Sequence, residues 1–90
     1  MAIIAAFDYG YRKYEIDETH FYVLDQSDNL VARYHLEQVI GHGGFDHGEY
    51  NNYTFQFSES DKIVITNDPD LTPFVEAFNK QLTIILNKKK

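Results

Sequence analysis

Residues 73–87 read PFVEAFNKQLTIILN, and this stretch decides the fold. Phe74, Val75, Phe78, Leu82, Ile85 and Leu86 fall on one stripe at helical spacing, while Glu76, Asn79, Lys80, Asn87 and Lys88 lie off it. Pro73 suits the first helical position, where a missing N–H costs nothing. Thr72 then serves as the N-cap, with Asp70 as the alternative. Acid comes early and base late, which suits the helix macrodipole. A single apolar stripe needs a cover, so this helix must dock on what precedes it.

What precedes it alternates with a period of two. His20 to Asp25 reads as a strand, Gln26-Ser27-Asp28-Asn29 as a turn, and Leu30 to Leu36 as the returning strand. Placing Asp25 opposite Leu30 sets the register: Phe21 faces Tyr34 and Val23 faces Ala32, an apolar face joined by Leu30 and Leu36. The other face pairs Leu24 with Val31, Tyr22 with Arg33 and His20 with His35. A second hairpin sets Tyr53, Phe55 and Phe57 against Ile63 and Ile65 around Ser58 to Asp61, and matching the two sets puts Phe57 opposite Ile63. Upstream, residues 2–8 and Tyr11 to Ile16 read as strands about a turn at Gly10, with Tyr14 and Ile16 on one side and Lys13 and Glu15 on the other. Four of the five glycines lie in Gly41-His42-Gly43-Gly44-Phe45-Asp46-His47-Gly48, which is expected as a mobile loop because glycine loses most entropy when ordered. The expected class is α+β: a strongly bent antiparallel sheet of five to six strands capped by one C-terminal helix.

Ninety residues make one domain, taken as 1–87, with a basic tail at 88–90. Stability of about 4–13 kcal/mol is ordinary for this length. Seven Phe and seven Tyr supply large buried areas to a thin core. No Cys is present, which excludes disulfides and thiolate chemistry and fits a reducing, cytoplasmic setting. No stretch approaches the roughly 20 apolar residues of a membrane span. Net charge is −6, and residues 1–87 alone hold five basic and fourteen acidic side chains, a net of −9. Such a body repels phosphate, so direct nucleic-acid binding is not expected.

The segments THFYVLDQSDNLVARYHLEQVIG (19–41) and YTFQFSESDKIVITNDPDLTPFVEAFNKQL (53–82) follow the order hairpin, Leu-Glu-Gln-Val-Ile step, hairpin, acidic linker, helix. That succession resembles bacterial pleckstrin-homology-like domains over about residues 19–82. The resemblance implies a strongly bent antiparallel sheet capped by a C-terminal helix. Members that bind phosphoinositides use a basic loop; here the glycine-rich segment carries Asp46 and Glu49 instead, so the resemblance implies the fold without lipid binding.

Several side-chain groups are candidates for function. His42, Asp46, His47 and Glu49 are the donor types that hold zinc or nickel, in a segment free to bend around an ion, although His-x₄-His matches no closed zinc pattern. His20 and His35 fall side by side in the hairpin register, with Glu18 near in sequence, as surface residues, metal ligands or a pH-sensitive pair. Ser27, Ser58 and Ser60 all sit in turns without a base held against them, and the glycines lack the strand–turn–helix context of a phosphate loop. No enzyme and no cofactor are expected. All seven tyrosines precede residue 54, more than a thin domain can bury, so Tyr9, Tyr11, Tyr22 and Tyr50, with Arg33 beside Tyr22, are candidate partner contacts. The preferred expectation is a non-catalytic module that binds a protein partner through exposed aromatics on the sheet or through a strand edge, the same edge also serving for homo-oligomers. A second is a small acidic inhibitor, of phage or mobile-element type, that blocks a basic nucleic-acid-binding protein with Asp8, Glu15, Asp17, Glu18, Glu59, Asp61, Asp68 and Asp70. A third is metal binding by the His42–Glu49 segment.

Overall fold

The computed structural model describes residues 3–47 and 50–88. Seven strands precede one helix: β1 (Ala5–Tyr9), β2 (Arg12–Ile16), β3 (His20–Leu24), β4 (Leu30–His35), β5 (Gly41–His47), β6 (Tyr50–Gln56), β7 (Lys62–Thr66) and α1 (Leu71–Lys88). A single 3-10 turn at Leu36–Gln38 separates β4 from β5, and the Gln38 side chain closes it by accepting the His35 amide at 2.8 Å. All strand pairs are antiparallel, and every strand pairs with its sequence neighbours within two sheets, β1-β2-β3-β4 and β5-β6-β7. The strands do not close into a barrel. The α+β class therefore stands, with seven strands in two sheets where the sequence suggested five to six in one.

The helix forms as its stripe dictates. Leu71, Phe74, Phe78, Leu82 and Ile85 are buried beneath it, against both sheets. It begins two residues before the proline, at Leu71, so Asp70 takes the flanking position and Pro73 still falls in the first turn, where it removes no intrahelical bond. Thr72 is inside the helix, not its cap; its hydroxyl donates to Asp46. Leu86 lies beyond the cover of the sheets and is half exposed. Lys88 is the last described residue of α1, and the rest of the expected tail lies outside the described residues.

The first hairpin keeps the expected pairs His20–His35, Phe21–Tyr34, Tyr22–Arg33 and Val23–Ala32. Leu24 departs from it by pairing with Leu30 rather than Val31, through a bulge between Val23 and Leu24. The turn explains the shift. Asp25 accepts the amides of Ser27 and Asn29 at 2.9 Å each, and Asp28 takes a left-handed φ of 63°, which tightens the loop by one residue. Leu30 is left 55% exposed instead of joining the core. In the second hairpin Phe55 pairs with Ile63 and Tyr53 with Ile65, while the Phe57 amide donates to the Asp61 carbonyl at 2.9 Å. Phe57 is thus opposite Asp61 rather than Ile63. A shift of two residues keeps Tyr53, Phe55 and Phe57 on the core face, because strand side chains alternate with period two.

The largest correction is the glycine-rich segment. Residues 41–47 are not a loop but strand β5, paired with β6 from Gly41–Gln56 to His47–Tyr50. Backbone approach, not freedom, explains one of the glycines. A methyl placed at Gly44 would collide with the Asn52 backbone, whereas one at Gly43 would meet open space. Gly44→Ala is therefore expected to cost about 1–3 kcal/mol, the range for forced overpacking. Gly43→Ala should be neutral or slightly stabilising, because it lowers unfolded-state entropy without a clash. Urea titrations of the two variants side by side check this; equal midpoints would contradict it.

Candidate interaction edge

Each sheet has two outer strands, and three of these four edges are guarded. β1 packs against α1 through Phe7 and Phe74, ring centroids 4.7 Å apart, and Tyr9 at its end reaches Thr66 of β7, accepting that residue's amide at 3.3 Å. β4 carries Arg33 and β7 carries Lys62, charged side chains of the kind that discourage pairing with another chain. β5 has neither lysine, arginine nor proline over its seven residues, and every residue from His42 to His47 is exposed.

The two faces of β5 differ. On the helix side, His42 packs edge-on against Phe78 at 5.4 Å and holds its Nδ1 2.7 Å from the Tyr53 hydroxyl, which in turn donates to Asn79 at 3.4 Å. Burial pushes the Tyr53 phenol up, and the Asn79 bond offsets part of that. Asp46, four residues on, accepts the Thr72 hydroxyl. On the other face Phe45 and His47 hold their rings 5.2 Å apart, with Tyr50 62% exposed at the start of β6. Between the helix side of β5, β6 and the first turns of α1 lies a groove of about 190 Å³. Tyr53, Leu71 and Val75 supply its apolar floor, and Asp46 and Glu76 its charges.

The proposed metal donors are thereby divided. His42 is bonded to Tyr53 and Asp46 to Thr72, His47 faces away from both, and Glu49 lies outside the described residues. Among the described residues no group of three His, Asp or Glu side chains is placed to hold a metal ion. His20 and His35 do meet, ring centroids 4.1 Å apart, and the His20 Nδ1 lies 2.6 Å from the Thr19 hydroxyl.

The tyrosines do not gather into one patch. Tyr11 is 81% exposed at the β1–β2 turn, where Gly10 takes a φ of 62°. Tyr9 is half-buried against Thr66, and Tyr22 spends its hydroxyl on Asp17 at 2.6 Å while pairing across the hairpin with exposed Arg33. Tyr50 is the candidate that stands beside β5. The carboxylates also scatter. Asp17 is buried, Glu59 and Asp61 flank the β6–β7 turn, and Asp68 and Asp70 lie in the linker to α1. There Asn51 holds Asp68 by two hydrogen bonds, at 2.9 and 3.0 Å.

Sequence reasoning missed Phe45 and Glu76 as site residues. The pattern of His42, Gly44 and Asp46 alternating with Gly43, Phe45 and His47 was the available strand signal, masked by the glycine count. No family model matches the chain, and no curated protein matches it in sequence. Among the described residues no helix is long and apolar enough to cross a membrane.

Proposed function

We propose that this chain is a non-catalytic interaction module that binds a protein partner by adding the partner's extended segment to β5. One observation carries the proposal: β5 is an outer strand, exposed from His42 to His47 and without the lysine, arginine or proline that blunts such an edge. Phe45 and His47 on β5, with Tyr50 next to His47 on β6, are aromatic contacts for alternate side chains of the added strand. Seven antiparallel strands followed by a single C-terminal helix support the pleckstrin-homology-like resemblance, though fold alone assigns no partner. The cysteine-free sequence suits a reducing compartment, and we place the module in the cytoplasm.

Hydrogen exchange with a partner purified from the host organism tests this. In the free protein, β5 amides not bonded to β6 should exchange fast; with partner bound they should become protected. Protection confined to β1, β4 or β7 would refute the proposal. So would a Gly43→Lys variant that binds the partner as well as the unsubstituted chain, since its side chain meets open space and a lysine on an edge opposes pairing.

A further inference from the structure

We infer that the groove between β5 and α1 receives a lysine or arginine side chain from the strand added to β5, so that the partner segment is basic. This rests on the strand-addition proposal and gives the partner its chemistry. A strand paired to β5 would lie about 4.8 Å outside it, with every second side chain on the helix side. The four-carbon stem of lysine can cross that gap and lie on apolar surface while its head stays polar. The groove offers both parts. Val75, half-buried over the buried Leu71, presents aliphatic surface, and Asp46 and Glu76 present carboxylates.

Charge favours a cation there over other occupants. Among the described residues no Lys, Arg or His lines the groove. Glu76 makes no ion pair among the described residues, where the salt bridge is Lys13–Asp28 at 3.2 Å. The start of α1 adds about half a positive charge, which two carboxylates outweigh. At longer range the body's excess of acid over base steers cationic segments toward the surface and repels acidic ones. A second copy of this chain is the less favoured occupant for the same reason.

The test uses blocked, otherwise uncharged heptapeptides, Thr-Val-Thr-Xaa-Thr-Val-Thr, with Xaa as Lys, Arg, norleucine or Glu, titrated into the full chain while backbone amide signals are followed. Lys and Arg peptides should bind about tenfold tighter than norleucine at low salt, as expected for a charge-assisted contact. The shifts should centre on β5, Leu71 and Glu76. The advantage should shrink in about 0.5 M salt, where screening is short-ranged, and in Glu76→Gln and Asp46→Asn, both checked for unchanged melting. Equal binding of the norleucine peptide, tighter binding of the Glu peptide, or an undiminished Lys advantage in Glu76→Gln with Asp46→Asn would overturn the basic occupant and leave strand addition standing. Absence of binding by every peptide, or β5 already protected by self-association in the free protein, would overturn both.

Discussion

Phe21→Ala should remove about 3–5 kcal/mol of stability, the usual loss for a fully buried phenylalanine. Phe21 is the point where all three layers meet. It sits on β3, is fully buried, and holds its ring 5.2 Å from Phe55, 5.1 Å from Phe57, 5.7 Å from Phe74 and 6.4 Å from Phe78. Those neighbours belong to β6, the β6–β7 turn and α1. Two contacts are edge-on, at 88° and 84°, the arrangement that aligns the positive ring edge with a negative face. Truncation opens a cavity that neither sheet can fill without leaving the other. Because the whole domain is expected to hold about 4–13 kcal/mol, the variant should be partly unfolded at 37 °C or close to it. Its melting temperature should fall by at least about 12 °C, given about 4–8 °C per kcal/mol at this size. Phe45→Ala, at an exposed position, should stay within about 0.5 kcal/mol. A Phe21→Ala loss below about 1 kcal/mol would mean that the two sheets do not share this core.

The core was legible because it is written in periodicity. Phe74, Phe78, Leu82 and Ile85 recur at helical spacing, and Phe21, Val23, Tyr53, Phe55 and Ile65 alternate; each set has one face that only burial can satisfy. Pairing in the first hairpin followed from matching apolar residues across it. It failed at Leu24 because a left-handed Asp28 changes the residue count of the turn, which side-chain alternation does not report. β5 was illegible for a related reason. Its glycines have no side chains to alternate, so propensity indicated a loop, while pairing with β6 and the close approach at Gly44 decided otherwise. The interaction edge depends on that strand, so the site was hidden with it. Asp17 reads in sequence as one of several surface acids. Its burial depends on the loop it organises, which no residue type announces.

Asp17→Ala should have the second large effect, about 3–5 kcal/mol, because it removes the acceptor of four donors, and a buried donor left unpaired costs about 1–3 kcal/mol. Asp17 is 1% exposed in the connection between β2 and β3. Its Oδ1 accepts the amides of Thr19 and His20 at 2.8 and 2.7 Å, and the Thr19 hydroxyl at 3.3 Å; its Oδ2 accepts the Tyr22 hydroxyl at 2.6 Å. Burial alone would raise the carboxyl's pKa, but the bonds from Tyr22, Thr19 and His20 together outweigh it and hold the pKa below the ordinary aspartate value. Tyr22 answers in the opposite sense, its phenol pushed up chiefly by the bond to Asp17. The sign of the pH dependence follows. A carboxyl with a depressed folded pKa contributes its full stability above the unfolded value of about 3.9 and loses it as pH falls through the folded value. Stability measured by urea titration should therefore be flat from neutral pH to about 5, as far as this group is concerned, and decline below about 4. In Asp17→Asn, which does not titrate, that part of the acid decline should vanish while the neutral-pH stability drops. Tyr22→Phe should lose one bond, about 1–2 kcal/mol, and weaken the acid decline without abolishing it. An Asp17→Asn variant whose acid decline matches the unsubstituted chain would show that this carboxylate is not the ion that ties β2 to β3.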